Sequence, residues 1–284
     1  MTRSLLIASL AVLSLTACKK EEAAPKPGGT PAAAPGRAVT VKGSDTMVIL
    51  GQRWAEEFMK ADASKKVQVT GGGSGTGIAA LINGTTEIAM SSRSMKDAEK
   101  QKVPGGKVAE TVVARDGVTF YVNEANPVTS LAVEQLRDIY VGDLTNWKQV
   151  GGPDARIVVY SRENSSGTYV FVKEEVLGNM DFAPEAQTLP GTAAVVNAVG
   201  KETHGIGFGG AAYAKGIKEL KVKVGAEEVA ATLENVQSGK YPLARPLFFY
   251  TRGEPQGDAK ALIDYALSAE GQKLVQAVGY FPVK

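Results

Sequence analysis

Histidine and cysteine are almost missing from this chain: 284 residues contain one of each, His204 and Cys18. Their scarcity excludes a Cys/His metal cluster and any disulfide within the chain. A Ser-His-Asp hydrolase would have to use His204. That residue sits in Thr203-His204-Gly205-Ile206-Gly207-Phe208-Gly209, the setting of a turn residue rather than of a base. An excess of one charge is missing as well. Lys and Arg number 32 against 30 Asp and Glu, a formal net charge of +2, well short of the basic balance of a nucleic-acid binder. Aromatics make up 7%, apolar residues 44% and charged residues 22%, the composition of an ordinary soluble α/β chain. The length suits two domains better than one, at roughly 100–200 residues each.

The N-terminus reads as an address. Arg3 precedes an apolar run from Leu5 to Leu15, about 11 residues, too short to span a membrane and the right length for a signal-peptide core. The small residues in Leu15-Thr16-Ala17-Cys18 resemble the lipobox of bacterial lipoproteins. That resemblance implies cleavage after residue 17 and lipid on Cys18, a stable anchor once acylated more than once; the alternative is a free buried thiol. Residues 18–38 are rich in Lys, Glu, Ala, Pro and Gly with no periodic apolar face, which predicts a flexible tether.

From Val39 onward, strands alternate with helices. The pattern predicts strands at Ala38–Val41, Val67–Val69, Glu87–Met90, Gly117–Val122, Arg156–Tyr160, Ile206–Phe208 and Pro246–Tyr250. It predicts helices over Met47–Ala61 and Ile78–Asn83, from Ser130 through Ile139, from Thr168 to about Leu177, and over Ala259–Val278. Strand, polar loop, helix, strand is the signature of a parallel α/β layer. The apolar strands Val118–Val122 and Leu247–Tyr250 are candidates for crossings between two lobes.

One chemistry recurs three times. Ser44-Asp45-Thr46, Ser74-Gly75-Thr76-Gly77 and Ser166-Gly167-Thr168 each follow a strand and open a helix. Any one of them can be a simple N-cap, since a hydroxyl satisfies an orphan backbone N–H. Together they offer free N–H groups, hydroxyls and the positive ends of helix dipoles to an anion. Arg162 and Arg93 lie in neighbouring loops, and in α/β sheets ligands collect outside the carboxyl ends of the strands. Rival motifs are missing. The Gly71–Gly77 loop lacks the Gly-Lys-Ser/Thr ending of a P-loop and the glycine spacing of a dinucleotide site, and no Gly-x-Ser-x-Gly elbow occurs.

These segments, in this order, resemble the periplasmic phosphate-binding proteins of ABC transporters, the PstS family. Gly43-Ser44-Asp45-Thr46, Gly71–Gly77, Ser91-Ser92-Arg93 and Arg162-x-x-x-Ser166-Gly167-Thr168 carry the likeness. Leu144-Thr145-Asn146-Trp147-Lys148-Gln149-Val150-Gly151-Gly152 is similar to the family's Thr-Asn-Trp-x-x-Val-Gly-Gly segment. The resemblance implies an α/β, type II periplasmic-binding-protein fold: two α/β lobes, joined by two hinge crossings, with a central ligand cleft. Lobe I would comprise 39–118 and 246–284, and lobe II 119–245. The implied ligand is inorganic phosphate, held by Ser44, Asp45, Thr46, Ser74, Gly75, Ser92, Arg93, Arg162, Ser166, Gly167 and Thr168, with no cofactor, no metal and no catalysis. The implied partners are ABC permease subunits and, through Cys18, a membrane, so that a monomer sits in the periplasm or on the outer cell surface.

One departure stands out. Longer family members carry, in the loop after the third strand, an Asp that accepts the phosphate proton; here the loop has Ser92 and Arg93. Asp45 is the nearby acid left for that task, or else it is a plain N-cap. Arg93 either contacts the ligand or pairs with an acid across the cleft. Two other readings remain: a binder of another tetrahedral oxyanion (sulfate, molybdate or a phosphonate), and a secreted phosphatase-like enzyme using Asp or Ser. A surface sensor of phosphate would look the same in sequence.

Overall fold

The computed structural model describes residues 37–283. The expected signal peptide, Cys18 and nearly all of the expected tether lie outside them. In chain order the elements are β1 (Val39–Gly43), α1 (Val48–Ala61), β2 (Val67–Thr70), α2 (Ser74–Ile82), β3 (Ile88–Ser91), α3 (Asp97–Lys100), β4 (Val108–Val122), β5 (Ser130–Ala132), α4 (Val133–Val141), β6 (Val158–Arg162), α5 (Gly167–Glu175), β7 (Gln187–Leu189), α6 (Thr192–Lys201), β8 (Gly205–Gly210), β9 (Lys218–Val224), β10 (Glu227–Val229), α7 (Leu233–Gln237), β11 (Ala244–Arg252), α8 (Gly257–Leu267) and α9 (Ala269–Val278).

Strand order along the main sheet is β2-β1-β3-β11-β4-β8-β6-β7. β1 is parallel to β2 and β3, and β6 is parallel to β7 and β8. Between these parallel sets run the antiparallel β11 and β4. β4 changes partners along its length. Val108–Gly117 pairs with β11, whereas Val118–Val122 pairs with β8 and β9. β11 pairs with the first part of β4 along Ala244–Arg252 and with β3 at Phe248–Tyr250.

Apolar periodicity explains the two principal cores. Leu50, Trp54 and Phe58 recur every fourth residue on α1 and are buried with Val41, Met90, Leu247, Phe249 and residues of α8 and α9. Trp54 anchors the group: its Nε1 donates to Gly271 O at 2.9 Å and its ring meets Phe249 edge-on at 5.5 Å. The other core gathers Phe120, Tyr140, Trp147, Phe208 and Leu220 from β4, α4, β8, β9 and the loop before β6. In β8 the glycines let α6 lie close to the strand, because a Cβ on Gly207 would stand 2.4 Å from a methyl of Val195.

Several element boundaries differ from expectation. α2 begins at Ser74 rather than Ile78, so Ser74 to Gly77 form its first turn. Ser130 opens a short strand, paired with β9, and the helix starts only at Val133. β4 extends nine residues upstream of Gly117. The C-terminal helix is two helices parted at Ser268, whose hydroxyl caps the second by accepting from Gly271 N–H at 3.1 Å. Among the described residues, no helix is long and apolar enough to cross a membrane.

Candidate functional site

Three strand–helix junctions meet at one place. β1 ends at Gly43, and Ser44 N–H then donates to Met90 O at 2.9 Å, which turns the chain through the short 3-10 turn Asp45–Met47 into α1. β2 runs into Gly71-Gly72-Gly73, where Gly72 and Gly73 have φ of 111° and 92°, backbone that L side chains rarely adopt. That bend starts α2 beside the first junction. β6 delivers Arg162, and the loop after it leads to α5, capped by Ser166, whose Oγ accepts from the N–H groups of Thr168 and Tyr169 at 3.2 Å each. The junctions bring the positive ends of their helix dipoles to a shared space, with the N–H groups of Gly75, Thr168 and Tyr169 already taken by Ser165 O and Ser166 Oγ.

The side chains interlock. The hydroxyls of Thr46 and Thr168 hydrogen-bond to each other at 2.8 Å, across 122 residues of sequence. Ser44 donates to Ser92 Oγ at 2.9 Å, and Ser92 N–H donates to Ser74 Oγ at 3.1 Å. Gly75 N–H donates to Ser165 O at 2.9 Å. Gly167 fits against Ser74 so closely that a Cβ there would lie 2.3 Å from its hydroxyl. Ser44, Thr46, Ser74, Ser92, Ser166 and Thr168 are all buried, as is Arg162.

Arg162 is the hub of charge. Its Nη2 donates to Asp45 Oδ2 and to Glu163 Oε1, each at 3.0 Å, and its Nη1 donates to Thr192 Oγ1 at 2.8 Å. Asp45 Oδ1 accepts from Gly72 N–H at 2.8 Å. Asp45 is therefore no N-cap: its carboxylate ties the first junction to the second and third. Burial raises its pKa, against the pull of the Gly72 N–H and the Arg162 charge. Burial works the same way on Glu163, but there Arg162's hydrogen bonds and charge prevail and the pKa is lowered.

Arg93 is engaged locally. Its guanidinium makes a two-pronged pair with Glu99 at 2.8 and 2.7 Å, and Nη1 also donates to Ser94 O. The acid it meets is six residues along the chain, not across a cleft. His204 stands in the turn before β8, where its carbonyl accepts from Trp147 Nε1 at 2.9 Å and from Val158 N–H at 3.0 Å.

Sequence reasoning did not find the second arginine. Arg245 on β11 pairs through Nε and Nη2 with Asp116 on β4, at 3.1 and 2.8 Å, and Nη2 also donates to Thr168 Oγ1 at 2.9 Å. Asp116 is fully buried; burial raises its pKa and Arg245 opposes that. An arginine in the apolar strand Ala244-Arg245-Pro246-Leu247-Phe248-Phe249 was the available signal. Among the described residues no cluster of three or more His, Cys, Asp or Glu is placed to hold a metal. Hydroxyls, helix N-termini and a buried arginine fork make this a site suited to a small oxyanion.

Comparison with known proteins gives the lineage. The PBP superfamily domain matches residues 29–270. The phosphate-binding protein PstS of Pseudomonas aeruginosa is 33% identical over 263 residues, covering 85% of this chain and 81% of its own. The chain belongs to the PstS family. The PstS of Staphylococcus saprophyticus is 37% identical over 235 residues, spanning 78% of this chain and 72% of its own. Among solved structures, a phosphate ABC transporter substrate-binding protein from Clostridium perfringens with bound phosphate aligns at a TM-score of 0.81 and 33% identity. It covers 87% of this chain and all of that one. The phosphate transport receptor of Vibrio cholerae aligns at 0.70 and 32% identity, over 86% of this chain and 99% of its own. The PstS fold thus holds across most of the described chain.

Proposed function

We propose that this protein captures inorganic phosphate and hands it to an ABC permease for import. The observation that carries the reading is the meeting of three buried helix N-termini, with Thr46 and Thr168 in direct contact and Arg162 bonded to Asp45 at the first of them. The phosphate-bound relative from Clostridium perfringens supports it. Phosphate is held by Ser44, Thr46, Ser74, Gly75, Ser92, Ser166, Gly167 and Thr168 as donors and by Arg162 as counter-charge. An arginine fork matches two phosphate oxygens at once. Residues 39–118 with 246–284 close on 119–245, and a ligand touching both stabilises the closed state. The protein is a receptor rather than an enzyme, works as a monomer without cofactor, and stands outside the cytoplasmic membrane on lipid at Cys18.

Asp45 discriminates phosphate from sulfate. An ionised carboxylate only accepts hydrogen bonds, so it favours an oxyanion that carries a proton and repels one that carries none. The test is calorimetric titration of the form beginning at Lys19, freed of bound anion, with phosphate and then sulfate. Micromolar or tighter phosphate binding without a sulfate signal supports the reading. Equal binding of both removes Asp45 from selectivity, binding of neither removes the function, and steady turnover of a phosphate ester favours the enzyme reading.

A further inference from the structure

Asp116 and Arg245 face each other in the register of β4 and β11, just before Val118, where β4 leaves β11 for β8 and β9. Their side chains are 0% and 3% exposed. One nitrogen of Arg245 serves both sides: Nη2 donates to Asp116 Oδ2 at 2.8 Å and to Thr168 Oγ1 at 2.9 Å, with Thr46 Oγ1 at 3.4 Å. The Phe171 ring lies 5.3 Å from the guanidinium carbon and, with Asp116, keeps the group in place. Because the Asp116 carboxylate sits against it, Arg245 adds little net field for an anion. What it adds is orientation.

Hydrogen accounting gives that orientation a direction. The Thr46 and Thr168 hydroxyls bond to each other at 2.8 Å, which uses one of their two hydrogens. Arginine only donates, so the other hydrogen cannot go to Arg245. Among the described residues neither hydroxyl donates to any further group. Both threonines are buried, at 1% and 0% exposure, so bulk water does not take that hydrogen either. A buried O–H without an acceptor is costly and calls for one.

We infer that Arg245, held by Asp116, is a positioning residue for phosphate at the site proposed above, on which this inference rests. Its Nη2 occupies acceptor capacity on the threonine pair, so the pair meets the ligand as an O–H donor and not as an acceptor. The phosphate oxygen it selects is one without a proton, the opposite of the oxygen that faces Asp45.

The experiment is calorimetric titration of inorganic phosphate into the wild type, the pair variant Asp116→Asn/Arg245→Gln, Thr168→Val and the triple variant, with a melting curve for each. Replacing both members of the pair avoids leaving a buried carboxylate alone. Arg245→Lys, which keeps the charge but not the fork, takes the pair variant's place in both backgrounds if that variant does not fold. The pair variant should bind phosphate about tenfold or more weakly, since an oriented hydrogen bond to a charged ligand is lost. In the Thr168→Val background the same replacement should cost less than about twofold, because the hydroxyl through which Arg245 acts is gone. Equal fold losses in the two backgrounds mean that Arg245 only supports the fold, and they overturn the inference whatever the melting temperatures are. Unchanged phosphate affinity in the folded pair variant overturns it as well. Failure of the wild type to bind phosphate removes the functional reading, and this inference with it.

Discussion

Replacing Gly167 by alanine tests whether the junctions must touch for ligand to be held. The new Cβ would lie 2.3 Å from Ser74 Oγ, 2.7 Å from Ser92 Oγ and 3.0 Å from Ser74 Cβ, about 1 Å short of ordinary van der Waals contact at the first of these. Ser74 and Ser92 are buried and bonded to each other, so neither can move without breaking that contact. Relief comes by drawing α5 away from α2, which separates Thr168 from Thr46. Overpacking of this kind costs about 1–3 kcal/mol. If the cost falls on the closed state alone, phosphate affinity drops about 5- to 150-fold. Thermal stability without ligand should hold, because the clash is relieved once α5 and α2 draw apart. Calorimetry gives the affinity and a melting curve gives the stability. Gly200→Ala, on α6 with nothing within 4 Å of the added Cβ, is the control and should leave phosphate affinity unchanged while holding or raising the melting temperature. Wild-type phosphate affinity in Gly167→Ala would refute the contact reasoning.

Other perturbations have equally definite outcomes. Arg162→Lys loses the fork that reaches Asp45, Glu163 and Thr192 together; at about 1.5–3 kcal/mol per charged bond, titration should show phosphate binding weakened at least tenfold. Asp45→Asn should raise sulfate binding relative to phosphate in competition titrations, and an unchanged ratio would remove Asp45 from selectivity. Because burial raises the Asp45 pKa, the acceptor is neutralised as pH falls, at a pH above the ordinary 3.8 for aspartate. Wild-type phosphate affinity should therefore fall with an inflection above that value, and Asp45→Asn should lack the inflection. The Glu99 pKa is lowered, burial being outweighed by its bonds to Arg93 and the Lys96 N–H. A carboxylate lowered on folding stabilises above its unfolded value and stops doing so as pH falls through the folded one. The melting temperature of Glu99→Gln should therefore lie below wild type at pH 7, and the gap should shrink below about pH 4.5.

The α/β alternation and the three junctions were legible because each depends on local signals: apolar strands, hydroxyl-glycine starts and the helical spacing of Trp54, Ala55 and Phe58. Longer-range pairing hid the rest. Val108–Asp116 reads as a mixed stretch because its partner, β11, is more than a hundred residues away. Asp116 and Arg245 become a pair only in the β4–β11 register, which sets them opposite each other. Ser130–Ala132 looked like a helix start, since strand pairing with β9 carries no local mark. Of the two readings of Arg93, ligand contact or a pair with an acid across the cleft, neither pointed to Glu99, six residues on in α3. The Asp45 side chain gave no local hint of its choice between capping its own helix and bridging to Gly72 and Arg162; the chain path of β2 and β6 decides it.

The most direct test of the site is a crystal structure of the protein grown with phosphate. It should place one phosphate within hydrogen-bond distance of Arg162, Thr46 and Thr168 at the three helix N-termini, with Asp45 facing one of its oxygens. Phosphate bound elsewhere, or a structure in which these three junctions carry no anion at saturating phosphate, would contradict it.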